Sequence, residues 1–480
     1  MIKISFYING QFKSLIIKPE LTLLELIRNK LQLTGVKEVC TEGDCGACTV
    51  IIAKVENGEI KYHNINSCIY PAVKIHGAHV ITLEGISQNG KLNPVQQKMV
   101  DNYAIQCGYC TSGIILSLIT YYINKNNDNF SKDYSFLDGN LCRCTGYSAI
   151  KKSFDVEANY LKEDLIPKNL IDIEEQLLQF NYKVKYIEEN IISDVQNYYV
   201  PESYEELFDI IDKLNGDYKF INGATDVGVE MTIRKKFYKN YIDLSRIKDL
   251  NTIREDNNYF YIGGNVTFQQ IANYKNLVRY YPIINEMMPL IASQQIRNVA
   301  TLAGNIANAS TIADFPVLLL VLSAGINKKF KNGGGYSLLS NFYMDYKVTS
   351  LNKGEIITAI QIKKHDNFFV NFIKSSKRKK VDIASVNSAV RIKHFLGRIL
   401  EFELAYGGVA PYPKLSYNAK KYFQDKLFSE INVDQAAELI LEEFTPISDI
   451  RGSDDFRKQL IKNHLIVHLE KFKEENPRLK

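Results

Sequence analysis

All eight cysteines of this 480-residue chain lie between Cys40 and Cys144, and the 336 residues that follow contain none. Thiols gathered in this way point to metal or redox chemistry more than to disulfides. They fall into two sets of four. Cys40, Cys45, Cys48 and Cys68 are separated by four, two and nineteen residues, and Cys107, Cys110, Cys142 and Cys144 by two, thirty-one and one. The first set has the C-x4-C-x2-C spacing, with a distant fourth cysteine, of a plant-type [2Fe–2S] cluster. Thr41-Glu42-Gly43-Asp44 and Gly46-Ala47 fill its intervals. Such small and polar residues let backbone N–H groups approach cluster sulfurs, and glycine permits the dihedrals of a wrapped loop. The second set matches no such spacing, and a four-cysteine structural zinc site stays open as an alternative for either set.

The elements around the thiols position them. Residues 2–8 and 11–17 alternate apolar and polar around Asn9-Gly10, which predicts a β-hairpin. Residues 22–31 predict a helix with Leu23, Leu24, Ile27 and Leu31 on one face. Hairpin, helix and cysteine loop together suggest a small ferredoxin-like β-grasp domain. The second set belongs to helices expected from Asn93-Pro94 to about residue 103, over 111–123 and over 148–160. Cys110 and Cys144 then stand just before helix starts, where free N–H groups and the helix dipole favour a negatively charged cluster.

Composition bounds the rest. Hydrophobic residues at 45% and charged residues at 24% exclude a mostly disordered chain. A net charge of +5 gives no reason to expect nucleic acid as a partner. The run from Val317 to Leu322, extended to Ile326, is about half a membrane span, so no transmembrane helix and no membrane partner is expected. The start, MIKISFYING, lacks the basic flank and apolar core of a secretory signal, and a cytoplasmic location is expected.

Beyond an irregular stretch at 161–195, read as a linker, the chain turns α/β. A helix is expected over 203–214, with a Ser203-x-x-Glu206 cap, then a strand over 218–221. Asn222-Gly223-Ala224-Thr225-Asp226-Val227-Gly228 follows as a glycine turn that could set N–H groups against a pyrophosphate, although an ordinary tight turn serves as well. It is not GxGxxG, so no Rossmann fold is indicated. A second segment, from Gln295 to Ser310, is rich in small and amide residues that suit backbone wrapped around a phosphate-bearing ligand. Asp314 and a buried helix from Val317 come next. Lys374, Lys377, Arg378, Lys379 and Lys380 form a basic run that either lies in solvent or attracts the phosphates of FAD or NAD.

Three strings carry a resemblance. Glu42-Gly43-Asp44-Cys45-Gly46-Ala47-Cys48-Thr49-Val50, Gln106-Cys107-Gly108-Tyr109-Cys110-Thr111 and Gly139-Asn140-Leu141-Cys142-Arg143-Cys144-Thr145-Gly146-Tyr147 resemble the two-cluster part of the molybdenum hydroxylases. The segments at 222–228 and 295–310, with Phe444-Thr445-Pro446-Ile447-Ser448-Asp449-Ile450-Arg451, resemble the flavin module of that family's xanthine dehydrogenase branch. The resemblance implies two [2Fe–2S] clusters with all eight cysteines as ligands, and places Gln106 and Cys144 near the pterin of a molybdenum centre. It implies FAD contacts from Phe220, Ile221, Asn222, Gly223, Ala224, Thr225, Asp226 and Val227, and from Thr301, Leu302, Ala303, Gly304 and Asn305. Ile291, Asp314, Ile357 and Lys374 match single flavin-contacting positions. Ala303 departs from a usual glycine and Ile291 from an aromatic.

The expected architecture is multidomain α+β. It comprises a β-grasp [2Fe–2S] domain at 1–85, a helical [2Fe–2S] domain at 86–160, the linker, an α/β FAD-binding domain at 196–370 and a small α+β C-terminal domain at 371–480. The resemblance implies the electron-transfer subunit of a hypoxanthine- and xanthine-oxidising enzyme, with electrons leaving through FAD to NAD. Molybdenum and its pterin would belong to a large partner subunit in a hetero-oligomer, and no catalytic acid, base or nucleophile is expected here. An aldehyde- or N-heterocycle-oxidising relative and a non-enzymatic zinc scaffold are the alternatives.

Overall fold

The computed structural model describes residues 1–87, 90–125, 134–155, 157–180, 185–186 and 196–477. They form two compact units. One comprises Met1–Glu202, Asp212–Arg246 and Ala292–Ala300, the other Ser203–Ile211, Ile247–Ile291 and Thr301–Lys480.

The first unit opens with the expected hairpin. Ile2–Ile8 pairs antiparallel with Gln11–Ile17, and Asn9 and Gly10 both take positive φ, 47° and 82°, as a type I′ turn requires. Ile2, Ile4, Phe6 and Ile8 alternate into the core. Ile2–Ile8 also pairs parallel with His79–Ile81, which joins Thr49–Glu56 and Glu59–Asn66 in a mixed sheet. Thr22 caps the helix at Leu23–Glu25 through a capping box with Glu25, and the helix continues over Leu26–Lys30 in a wider winding.

The helical part follows. Asn93 and Gln96 form a second capping box ahead of Pro94–Asp101. Thr111–Asn124 is buried on almost every side, as its apolar composition demands. Two expectations need correction. The helix at Ser148 ends at Lys152, because Ser153 turns its hydroxyl back to the Ala149 carbonyl and Phe154 leaves to join an aromatic cluster with Tyr121 and Phe136. The stretch expected to be an irregular linker forms three short helices, Lys162–Leu165, Lys168–Ile171 and Ile173–Leu178. Leu165, Leu170, Ile173 and Leu177 insert into the helical core, a spacing too broken by Pro167 and acidic residues to read as periodic. The remainder of that stretch, 181–184 and 187–195, lies outside the described residues. A small parallel sheet of Asn197–Tyr199, Asn240–Asp243 and Lys219–Ile221 completes the unit.

The second unit contains a five-stranded antiparallel sheet in the order Ile253–Glu255, Tyr259–Gly263, Ile356–Lys363, Gly325–Phe330, Gly333–Leu338. The apolar run is the buried helix Asp314–Val321, which starts three residues earlier than expected. A four-stranded antiparallel sheet, Phe369–Ser375, Val386–Phe395, Arg398–Gly407 and Lys414–Leu415, packs with the helices Tyr417–Phe423, Val433–Leu441 and Asp454–Glu475. The architecture is thus multidomain α+β. Among the described residues no helix is long and apolar enough to cross a membrane.

The two cysteine-bearing parts meet at glycine. A Cβ on Gly113 would lie 2.1 Å from the Gly46 carbonyl oxygen, and one on Gly46 would lie 2.1 Å from that of Gly139. Both would strike backbone, which cannot yield as a side-chain tip can. Gly113→Ala is expected to destabilise the chain by about 1–3 kcal/mol, the range of core overpacking. Gly335→Ala, which meets only the Lys328 side chain at 3.8 Å, should leave stability unchanged. Thermal melts of both variants against the unaltered chain provide the check.

Candidate iron–sulfur and flavin sites

The first thiol set converges on one loop. Cys40 and Cys45 are half-buried, Cys48 and Cys68 buried. Thr41, Gly43 and Gly46 take positive φ, the Cys45 N–H donates to Cys40 Sγ at 3.4 Å, and the Asn66 amide donates to the Gly43 carbonyl. Hydrogen bonds with Cys45 and Cys68 hold the Cys40 thiol far below its usual range, while Cys45 and Cys68 are pushed far above theirs by those same contacts and by burial. Four thiols this close share protons among themselves, and only cations can stabilise them all as thiolates.

The second set is more open. Cys107 and Cys144 are exposed, with sulfurs 3.4 Å apart. Cys110 is hydrogen-bonded to Cys142, and its thiol is pushed up to about 12, first by burial and then by that contact. The thiols therefore pair two and two, the arrangement in which each iron of a two-iron cluster takes two. Cys110 is the N-cap of Thr111–Asn124, as expected, and Cys142 Sγ lies 3.1 Å from Thr145 Oγ1. Among the described residues no group of three His, Cys, Asp or Glu side chains is placed to hold a single metal ion. Gln106 is exposed like Cys144. Tyr103, Tyr109 and Leu141 are exposed beside them in sequence, at 87%, 55% and 42%.

The loops of the two sets touch. The Leu141 N–H, next to Cys142, donates to the Cys45 carbonyl at 2.9 Å. The Gly46 carbonyl accepts from Thr49 Oγ1 at 2.6 Å and from Asn140 Nδ2 at 3.1 Å.

The first flavin-like segment sits in the same unit. Lys219–Ile221 carries Phe220 and Ile221, and Asn222 and Gly223 turn the chain. A Cβ on Gly223 would lie 2.0 Å from the Val299 carbonyl oxygen, so no larger residue fits. Ala224 adopts φ 65°, and the helix Thr225–Thr232 begins immediately. Here the turn differs from expectation: Thr225, Asp226 and Val227 are helical, with N–H groups at a helix start, a favourable place for phosphate. The segment abuts the first cysteine loop, because a Cβ on Gly228 would meet the Ile69 carbonyl, next to Cys68, at 2.0 Å.

A buried ion pair that the sequence did not suggest holds this segment. Lys74 Nζ donates to the Asn222 carbonyl at 3.0 Å and to Asp243 Oδ2 at 2.7 Å, and Tyr198 donates to the same carboxylate oxygen at 2.6 Å. The Lys74 and Asp243 side chains are 9% and 3% exposed. Burial pushes the Asp243 carboxyl up, but Lys74, Tyr198 and the Ser245 N–H outweigh it, and the carboxyl stays below its usual range. These partners are 169 residues apart, and no motif marks them.

The second unit holds the other expected flavin contacts. Thr301 caps Leu302–Ala307 through a bond from the Gly304 N–H, and Ala303 is buried. Asn305 Oδ1 is buried without a hydrogen-bond partner. Ile291 and Ile357 are buried. Lys374 Nζ donates to Asp314 Oδ2 at 2.7 Å and to the Leu290 carbonyl at 2.8 Å, and Asn387 donates to Asp314 Oδ1 at 2.6 Å. Burial keeps the Asp314 carboxyl above its usual range despite Lys374 and Asn387. Lys374 is thus a buried, paired cation, and it borders a cavity of about 710 Å³ together with Lys377, Lys379, Arg451, Ile450 and Phe456. Within the first unit the tight turn at Gly223 fits a polar ligand lying against backbone, and within the second the unpartnered Asn305 oxygen offers an acceptor to one; FAD would present such polar groups.

Comparison with known proteins agrees with these features. A 2Fe-2S iron-sulfur cluster binding domain matches residues 6–73, and a [2Fe-2S] binding domain matches 82–155. An FAD binding domain in molybdopterin dehydrogenase matches 192–363, and a CO dehydrogenase flavoprotein C-terminal domain matches 371–471. Xanthine dehydrogenase of Emericella nidulans is 29% identical over 89% of this chain and 35% of its own length. Aldehyde oxidase 1 of Rattus norvegicus is 27% identical over 98% and 40%. The chain therefore spans little more than a third of the curated relatives it matches. Among solved structures, a Cu,Mo-CO dehydrogenase chain aligns with a TM-score of 0.53 and 27% identity, over 56% of this chain and 94% of that one. A quinoline 2-oxidoreductase chain from Pseudomonas putida 86 aligns with a TM-score of 0.54 and 25% identity, over 58% and 96%.

Lys74→Met leaves Asp243 buried without its cation and the Asn222 carbonyl without a donor. A loss of about 3–5 kcal/mol is expected, as for other broken buried pairs, together with reduced FAD content. Tyr198→Phe removes one hydrogen bond and should lose about 1 kcal/mol. Denaturation curves and flavin release by the purified variants measure both effects.

Proposed function

We propose that this chain, an iron–sulfur and FAD chain of the molybdenum hydroxylase family, is the electron-transfer subunit of a xanthine dehydrogenase. The observation that carries the reading is the order of contacts in the first unit. The exposed thiol set touches the buried set through Leu141 and Cys45, and the buried set touches the flavin-like segment through Ile69 and Gly228. Electrons entering at the exposed end would meet the groups held by the second cysteine set, then the first, then the flavin-like segment. Bound clusters would pass electrons singly and bound FAD would release them as a pair.

The eight cysteines would supply the thiolate ligands. Segments 220–227 and 301–305, with Ile291, Asp314, Ile357 and Lys374, would hold FAD. Lys374 would present its cation from a fixed position, since Asp314 and the Leu290 carbonyl both restrain it. Tyr103, Tyr109 and Leu141 would be covered by a large partner subunit carrying molybdenum and its pterin, where hypoxanthine or xanthine is hydroxylated. Solved chains matched over nearly their whole length favour a separate partner. NAD would take the electrons from FAD. The cavity bordered by Lys377, Lys379 and Arg451 offers cations for its phosphates and apolar walls for its rings. A second reading, an aldehyde-oxidising enzyme, is favoured by the alignment with aldehyde oxidase 1, which covers nearly all of this chain.

The chain purified without oxygen should contain two clusters' worth of iron and one FAD, and should reduce artificial dyes with NADH. It should oxidise xanthine only after addition of its molybdenum partner. Zinc in place of iron would overturn the cluster assignment, and aldehyde turnover without xanthine turnover by the complex would favour the second reading. Electron paramagnetic resonance tests the division of the thiols into two sets: Cys45→Ser should remove one cluster signal and Cys110→Ser the other.

A further inference from the structure

Two buried imidazoles in the second unit take no part in the sites above. His464 and His468 lie one turn apart on the helix Asp454–Glu475, 3% and 0% exposed. They belong to a continuous chain of hydrogen bonds. Lys471 Nζ lies 3.2 Å from Asn371 Oδ1, Asn371 Nδ2 lies 2.8 Å from His468 Nδ1, and His468 Nε2 lies 2.8 Å from Ser388 Oγ. Ser388 Oγ lies 2.8 Å from His464 Nδ1, and His464 Nε2 lies 2.8 Å from Ser375 Oγ. Ser375 ends the strand Phe369–Ser375 and borders the 710 Å³ cavity.

The chemistry of each group gives this chain a single direction. An ammonium can only donate, so Asn371 turns its carbonyl oxygen to Lys471 and its NH2 to His468. His468 therefore accepts at Nδ1. Burial holds His464 down to about 4 and His468 well below its usual range, so both rings are neutral at pH 7. A neutral ring that accepts at Nδ1 carries its proton on Nε2. His468 thus donates to Ser388, Ser388 turns its own proton to His464 Nδ1, and His464 donates from Nε2 to Ser375. The Ser375 oxygen is already an acceptor of this bond, and its O–H is left to donate elsewhere, at the cavity wall.

We propose that Ser375 donates a hydrogen bond to the ligand of this cavity, and that His464, Ser388, His468 and Asn371 are positioning residues that fix the direction of its O–H. The wall would then favour a ligand presenting an oxygen acceptor there and disfavour one presenting a donor. For the dinucleotide of the preceding section, on which this inference rests, that acceptor is either a carboxamide oxygen or a phosphate oxygen.

Two measurements on the full chain test it. Nitrogen-15 NMR of histidine-labelled protein at pH 7, with signals assigned through His464→Gln and His468→Gln, should show both rings protonated at Nε2. An Nδ1-protonated ring at either position overturns the proposal. Titrations with NADH and with ADP-ribose measure binding. Ser375→Ala should weaken NADH about threefold to tenfold, the worth of one neutral hydrogen bond, and Ser375→Thr should restore it. Weakening confined to NADH identifies the carboxamide, and equal weakening of ADP-ribose identifies phosphate. Lys471→Met alters an exposed side chain at the far end of the chain. It should weaken NADH alone, yet add nothing to Ser375→Ala, whereas a merely structural effect would add. Unchanged NADH affinity in Ser375→Ala overturns the proposal. Failure of the unaltered chain to bind either probe overturns the dinucleotide reading and the ligand half of this inference, while the ring tautomers still decide the direction of the chain.

Discussion

The first unit depends on one close approach, the packing of the Gly46 carbonyl against Gly113, Thr49 and Asn140. A carbonyl so deeply placed must be hydrogen-bonded, and Thr49 and Asn140 supply both donors. The approach needs a glycine on each side, because a methyl group on either would strike backbone. Its consequence is that Cys45 and Leu141, far apart in the chain, share a hydrogen bond. Two small redox sites on separate loops thereby become neighbours. A buried polar network extends the same contact. Gln295 donates to Asn140, Asn140 accepts from Ser117, and Asn298 reaches the Asn64 side chain and carbonyl. An apolar interface could slide by a residue, whereas this set of directed bonds is satisfied in one register only.

What the sequence makes legible follows from how local each feature is. The hairpin at Asn9-Gly10, the Ser203-x-x-Glu206 cap and the buried helix after Cys110 rest on spacings of two to four residues, and all appear. The grouping of thiols is legible because iron–sulfur ligands come in characteristic intervals. The helical start at Thr225 is hidden because Gly223 and Gly228 read as turn formers. Gly223 is in fact set by the Val299 carbonyl, and Gly228 by that of Ile69. The helices at 162–178 are hidden for a related reason. Each is a single turn whose one or two leucines or isoleucines find their core only in the folded chain. Lys74 with Asp243, and His464 with Ser388, carry no local signal at all, since their partners are fixed by topology.

The two units place charge differently. In the first, the thiols gather where backbone N–H groups and glycine loops can surround a negatively charged cluster, and a buried cation, Lys74, serves to hold a loop. In the second, Lys374 is buried and paired in the wall of a cavity that the exposed Lys377 and Lys379 also border. A fixed interior cation can define a position, whereas rim cations attract an anion and let it leave. A one-electron carrier needs the first arrangement, because its cofactors never depart. Under the proposed reading, an acceptor that arrives, takes an electron pair and diffuses away would need the second. The buried neutral imidazoles behind Ser375 extend that logic. A charged imidazolium there would add an attraction slow to release, while a neutral chain contributes direction without net charge. Under the proposed reading, a hydroxyl held in this way would recognise an exchanging ligand and still let it go.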